Sequence, residues 1–400
     1  MQRGRAVLGD FIGVTAITLA LYLPFLSVNY DLNGIYEALA VEQGTLGSLL
    51  DQNHLLYRPV GYLVYQAAAL AGFHGKSLHL LQSVTAVFGA LGIGFAYLVF
   101  HHLGRNRFAA LAASLWLATS WSYWYFSTDV AYISLAALLA AGAVAVFLLE
   151  GSNSSAVVAG VLAGLAILTW QANALLIPVL VLYGLLIKRS ENGVLPLPTM
   201  GILLATGVGL VCIAYGSIGT FVYGLRSPQE LLRWLFSHGG GVRLPMWGQW
   251  SLSRVSSASK TALESILPLN TRLGMGEFAD LVEPAKTAYW WSLPALIVLG
   301  GLLVVQVMYR NPQKSRMFSA IFWIVSAYAI YLAFIVWWDP FESKWFLIPN
   351  LFLGALIAVV CSQRVSVYSG SLLIGCIMVI ATANFVSTIC LTLYIFRHNQ

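Results

Sequence analysis

Side chains able to do chemistry are scarce in this chain of 400 residues, of which 59% are hydrophobic and only 9% charged. Those at the edges of apolar runs carry weight, because an ionisable group beside hydrocarbon is costly to keep. Asp31, Glu37, Asp51, His54 and Arg58 follow the first apolar run, Asp129 opens a later one, and Asp339, Glu342 and Lys344 share a short turn near the end. His238 stands before the glycine run Gly239–Gly241. A carboxylate can take a proton from a hydroxyl within hydrogen-bond reach. A guanidinium or an ammonium can neutralise a phosphate as negative charge builds on it.

The elements that position these groups are membrane helices. So little charge cannot cover a water-soluble globule, and 13% aromatic residues, 13 of them Trp, suit two membrane–water interfaces. Apolar runs long enough to cross a bilayer predict about eleven transmembrane helices, over 7–28, 77–103, 108–127, 129–149, 155–171, 172–188, 197–224, 287–309, 317–338, 345–361 and 366–396. The stretch from Ala156 to Ile187 reads as two short helices meeting at Trp170 and Gln171 rather than as one long tilted helix. Arg3 and Arg5 precede the first run as in a signal peptide, but no small-x-small cleavage site follows, so it reads as a retained span. Cys212, Cys361, Cys376 and Cys390 lie in apolar runs without ligand-like spacing and read as packing residues. The net charge of +6 is scattered, which argues against a nucleic-acid partner and leaves membrane lipids as the phosphate-bearing ones.

Basic residues of short loops stay on the cytoplasmic side. With the N-terminus cytoplasmic, Arg105, Arg107, Lys188, Arg189, Arg310, Lys314, Arg316 and Arg364 all fall there. The long connections 29–76 and 226–286 and the turn Asp339–Lys344 then share the extracytoplasmic face, and so do all the candidate groups. Within the first connection, Leu32–Gly44 predicts a surface helix stopped by glycine. Pro59–Phe73 predicts a re-entrant or interfacial helix, too short to span. In the second, Ser227-Pro228-Gln229-Glu230 is a helix-start signature, and an amphipathic stretch follows near Ala258–Leu267.

The order of these elements resembles that of the C-type (GT-C) membrane glycosyltransferases, particularly the protein O-mannosyltransferase and lipid A aminoarabinose transferase branch. A first span is followed by an acid (Tyr30-Asp31-Leu32-Asn33), a surface helix and a basic-proline-aromatic element (Leu56-Tyr57-Arg58-Pro59-Val60-Gly61-Tyr62). Two spans later comes another acid (Ser127-Thr128-Asp129-Val130-Ala131-Tyr132). Near the end, Pro340-Phe341-Glu342-Ser343-Lys344-Trp345-Phe346-Leu347-Ile348-Pro349 is similar to the aromatic, proline-containing entry into a late span of that family. The resemblance implies an all-α GT-C fold and transfer of a sugar from a polyprenyl-phosphate donor to a hydroxyl-bearing acceptor. It implies Asp31 as general base, Asp129 as a second acid shaping the site, and Arg58 as a contact to the donor phosphate. Lys344 is a second candidate phosphate contact, and Tyr57, Tyr62, His54, His238 and Glu342 are further substrate-site candidates.

The expected organisation is a GT-C-like membrane module over 1–190 containing the loop 29–76, a connecting span over 191–225, a partly helical extracytoplasmic loop over 226–286 and further spans over 287–400. No cofactor follows from the spacing of His, Asp and Glu; a divalent metal held by distant loops leaves no sequence signature and stays open. Structural readings stand beside the catalytic ones: Asp129 as a helix cap, Arg58 and Lys344 as cations snorkelling to headgroups, and Glu342 as the partner of Lys344. Two other functions stand beside the enzyme. One is a transporter or flippase for a lipid-linked substrate. The other is a non-catalytic scaffold of the same fold, because family members often carry a second acid near the first, where this chain has Leu32 and Asn33.

Overall fold

The computed structural model describes residues 2–28, 30–188, 197–235, 248, 250–267, 315–362 and 375–386, and among them every regular element is helical. Among the described residues six helices are long and apolar enough to cross a membrane: Ala6–Phe25, Ser77–Gly104, Tyr132–Leu149, Leu197–Phe221, Met317–Trp338 and Ser343–Cys361. Shorter apolar helices cover Arg107–Thr119, Asn153–Thr169, Gln171–Ile187 and Gly375–Val386. The chain is thus an integral multi-pass membrane protein, as its composition requires. The expected span 287–309 lies outside the described residues, and the expected span 366–396 is described only over 375–386.

In chain order the helices are α1 (Gln2–Tyr22), α2 (Leu32–Gln43), α3 (Leu46–Leu49), α4 (Tyr57–Leu70), α5 (Ser77–Gly104), α6 (Arg107–Thr119), α7 (Trp121–Thr128), α8 (Tyr132–Leu149) and α9 (Asn153–Thr169). They continue as α10 (Leu176–Tyr183), α11 (Leu197–Phe221), α12 (Pro228–Leu235), α13 (Leu252–Ile266), α14 (Ser315–Trp338) and α15 (Leu347–Cys361). The spans beginning at Tyr132 and Ser343 are 78% and 83% buried, whereas those beginning at Ala6 and Leu197 are 17% buried. Among the described residues the first pair therefore forms the centre of the bundle and the second its rim. Small residues allow the tight approaches that apolar helices need inside a membrane. A methyl group at Gly160 of α9 would run into Thr206 and Leu203 of α11.

The expected span 108–127 is two helices. At Ser120 the backbone turns to an extended conformation (ψ 140°), and the Ser120 hydroxyl donates to the Leu117 carbonyl at 2.7 Å. The break turns the aromatic helix α7 toward Asp129. The break expected at Trp170 and Gln171 is present: Trp170 is extended, and a short 3-10 turn, Gln171–Leu175, leads into α10.

Local sequence accounts for the first long connection. Asp31 caps α2 by accepting from the Asn33 amide, and Gly44 ends that helix in the left-handed conformation (φ 62°). Glu42 accepts from the Ser77 amide at 2.9 Å, placing a carboxylate at the start of α5. Farther along, the Ser227 hydroxyl accepts from the Glu230 amide at 3.2 Å and starts α12. Helix α13 braces the last turn. The buried Arg254 donates to the carbonyls of Val336, Trp337 and Trp338, the final carbonyls of α14. Thr261 donates to Pro340 O at 2.8 Å.

Candidate active site

A cavity of about 830 Å³ opens at one end of the bundle. Its walls come from α2, the loop Ser48–His54, the first turn of α4, the start of α8, the break between α9 and α10, the last turn of α14 and the turn Asp339–Trp345. Of the residues given a site role from the sequence, His54, Arg58, Glu342 and Lys344 line it, together with the acids Glu37, Asp51 and Asp339. Asp31, Asp129, Tyr57 and Tyr62 are not in its walls, and His238 lies outside the described residues.

Arg58 is 14% exposed at its side chain, which argues against the reading of it as a cation snorkelling to headgroups. Its Nε and Nη2 donate to the two carboxylate oxygens of Glu37 at 2.9 and 3.3 Å. Its Nη1 donates to Ser48 O at 2.9 Å, with an Asp51 oxygen at 3.5 Å. Glu37 is itself 2% exposed. Burial pushes its carboxyl up, against the pull of the Arg58 guanidinium. The guanidinium is thus held in a bidentate fork by a partner that the sequence reading left without a role. The signal was available: Asn33, Glu37 and Ala40 recur at helical spacing along α2 and all line the cavity.

Lys344 presents a different cation. It is 8% exposed, its Nζ lies 4.0 Å from Glu342 Oε2 and 4.8 Å from the ring centre of Trp345. Trp345 stacks on Trp170 at 5.0 Å with 12° between planes, so two indoles from distant parts of the chain meet beside the ammonium. Trp337 and Trp338 from the end of α14 add aromatic surface. Trp170 was visible in the sequence only as the interruption of an apolar run.

His54 is stacked on Tyr132 (3.5 Å between ring centres, 27° between planes). Its Nδ1 lies 3.1 Å from Thr169 O. Burial lowers its pKa to about 4.

Asp31 and Asp129 adjoin each other behind the α2 wall. Asp129 is fully buried and accepts from the Asp31 amide at 2.7 Å and from the Val130 amide at 2.7 Å. It is not the cap of α8, whose N-cap position is Ala131. Burial pushes its carboxyl up to about 7, against those two hydrogen bonds. A Cβ on Gly34 would lie 2.5 Å from Val130 O, so a glycine is needed for α2 to rest on this strand-like link. The Asp31 carboxylate is half-buried and accepts from the Asn33 side chain at 3.3 Å; Asn33 lines the cavity. Tyr57 is buried with its hydroxyl 3.1 Å from Thr85 Oγ1, and Tyr62 packs beside Gly44; both support the walls from behind. Among the described residues no group of three His, Cys, Asp or Glu side chains is placed to hold a metal ion.

No protein-family model matches this sequence, and no curated protein sequence does. Solved structures do match in fold. ArnT from Cupriavidus metallidurans bound to undecaprenyl phosphate superposes with a TM-score of 0.56 at 17% identity, over 94% of this chain and 63% of that one. The Archaeoglobus fulgidus oligosaccharyltransferase in complex with Zn and sulfate gives 0.55 at 13% identity, over 94% of this chain and 52% of its own. The same organism's oligosaccharyltransferase AglB, in complex with an inhibitory peptide and a dolichol-phosphate, gives 0.52 at 12% identity, over 98% and 56%. The chain therefore shares the fold of these structures, the GT-C fold that the order of its elements resembles. It spans between about half and just under two thirds of the length of these neighbours.

Proposed function

We propose that the chain is a glycosyltransferase that moves a sugar from a polyprenyl-phosphate donor to a hydroxyl-bearing acceptor (lipid, glycan or protein) on the extracytoplasmic face. The observation that carries this reading is a buried ammonium, Lys344, beside stacked indoles in a large cavity on a GT-C fold. Carrier phosphates accompany two of the fold's solved neighbours. The donor phosphate sits against Lys344, and Arg58 reaches it by exchanging its contact to Ser48 or Asp51. The bond from the anomeric carbon to the phosphate oxygen breaks with its electron pair going to phosphate, where the cations stabilise it. The acceptor oxygen bonds to that carbon, and its proton passes to Asp31, the acid beside the wall residue Asn33. Asp129 keeps Asp31 in place by holding its backbone amide.

The proposal includes a cytoplasmic N-terminus, the membrane module over 1–190 with loop 29–76, the connecting span 191–225, the extracytoplasmic loop 226–286 and the spans of 287–400. It is supported by the separation of the cavity from the basic loop at Arg105 and Arg107, which lie at opposite ends of α5. Binding of undecaprenyl phosphate to the purified protein in detergent tests the donor site. Lys344→Met is expected to weaken it on the order of tenfold or more, as loss of a charge-assisted contact does. Parent-level binding would remove Lys344 from the phosphate site. A second reading is a protein of this fold that binds the carrier without transferring sugar, favoured by the occupation of Arg58 by Glu37. Carrier binding without turnover of any polyprenyl-phosphate sugar selects it.

A further inference from the structure

His54 is half-buried in the cavity wall without being part of the carboxylate and cation chemistry above, and its ring is held in three ways. The face lies on Tyr132 at 3.5 Å. The Nδ1 edge meets the Thr169 carbonyl at 3.1 Å, and a carbonyl can only accept, so Nδ1 carries the proton. The backbone on either side is fixed as well: the His54 amide donates to Asp51 O at 3.0 Å, and the Leu56 amide to Leu168 O at 3.2 Å. A neutral ring protonated at Nδ1 has a bare lone pair on Nε2, at the far edge from Thr169.

Charges from every side act on this ring. Burial disfavours the imidazolium most strongly and Arg58 and Lys344 add to it, and together they outweigh Asp51 and the Thr169 carbonyl, which favour it. The ring is therefore neutral, and Nε2 is an acceptor in a cavity whose other lining groups include an ammonium, a guanidinium, carboxylates and indoles. A carboxylate or a phosphate diester offers no hydrogen to a bare imidazole nitrogen at neutral pH, and a phosphate monoester, above its second pKa of about 6, offers little. A sugar hydroxyl does.

We propose that His54 is the sugar-recognising residue of the cavity, its Nε2 accepting a hydrogen bond from a hydroxyl of the glycosyl group on the carrier while Thr169 and Tyr132 hold the ring in register. This rests on the glycosyltransferase reading and adds to it the residue that tells a sugar-loaded carrier from an empty one. His54 is a specificity residue here: no proton leaves the sugar hydroxyl and no bond is made or broken at it.

Two measurements decide it on the full chain in nanodiscs. The first uses ¹⁵N-histidine NMR, with His54→Phe assigning the signal, and involves no ligand. A protonated Nδ1 and an unprotonated Nε2 at pH 7 are expected; the opposite tautomer, or an imidazolium, overturns the proposal whatever the protein's activity. The second compares binding of undecaprenyl phosphate with that of a panel of undecaprenyl-phosphate monosaccharides. The parent is expected to favour at least one loaded carrier. His54→Phe, which keeps a ring on Tyr132, is expected to reduce that preference about three- to tenfold, the range for one neutral hydrogen bond, and to leave the empty carrier bound as before. An unchanged preference in His54→Phe, with the carrier still bound, overturns the His54 assignment alone. Failure of the parent to bind any carrier form overturns the donor reading and this proposal with it.

Discussion

The two ends of α5 carry the same kind of interaction in opposite settings. The helix is 28 residues long, about 42 Å at the usual rise, so the two sites do not feel each other. At the end near Ser77, Arg58 pairs with a Glu37 that is 2% exposed, inside the wall of a cavity. At the end near Gly104, Arg107 donates to both oxygens of Asp10 at 2.6 and 2.8 Å, but its side chain is 60% exposed. The second pair is the shorter, yet water screens it, and such pairs contribute little. The first has lost its water, so that removing one partner strands a charge. Length alone does not rank ion pairs; burial does. The chain spends its few charges where a cavity needs rigid polar walls.

The largest expected effect at the cavity end is on turnover rather than stability. Asp31→Asn is expected to lower sugar transfer by about 10²- to 10⁴-fold, because the amide keeps the shape and cannot take the proton. Its thermal midpoint should stay near the parent's, since an asparagine also caps α2. Transfer at the parent rate would move the base to another carboxylate, with Glu342 next in line.

Arg58→Met is expected to destabilise the protein by about 3–5 kcal/mol, the cost of leaving Glu37 buried and alone. Thermal unfolding in nanodiscs reads this, and adding Glu37→Leu should restore much of the loss. If the single variant unfolds with the parent, the contrast between the two ends disappears.

Asp129 sharpens the contrast through pH. Its carboxyl is raised to about 7 from the ordinary 3.8, so between those values the folded protein holds a proton that the unfolded chain releases. This group's contribution to stability is complete below about pH 4 and is lost as the pH rises through 7, with an upper bound of roughly 4 kcal/mol. Asp129→Asn should flatten the dependence in that window. A parent protein whose midpoint rises between pH 4 and 7, with no flattening in the variant, contradicts the buried carboxyl.

The smallest effect belongs to the opposite end. Arg107→Gln should leave the midpoint indistinguishable from the parent's and carrier binding unchanged, because that guanidinium stands in solvent. A loss comparable to that of Arg58→Met would refute the ranking by burial.

Much of the architecture was legible before any coordinates. The surplus of apolar residues demanded lipid around the chain, and the glycine after Gln43 and the Ser227-Pro228 start placed helix ends because capping is a local affair of a few residues. The break at Trp170 was readable for the same reason: a polar Gln interrupts an apolar run. The split of 108–127 at Ser120 was not, because the run stays apolar and aromatic across it. What breaks it is a serine hydroxyl bonding back to its own helix, with the bundle turning around it.

By itself the sequence determined that this is an all-helical membrane protein and which few residues were candidates, because both follow from composition and local spacing. Only the tertiary structure decided which candidates meet: His54, Arg58, Glu342 and Lys344 in one cavity, with Asp31 and Asp129 behind its wall. It also decided that Glu37 and Asp51 engage Arg58, that Trp170 stacks on Trp345, and that Thr169 sets the tautomer of His54. These are contacts between segments up to 175 residues apart, and no spacing along the chain encodes a distance across it.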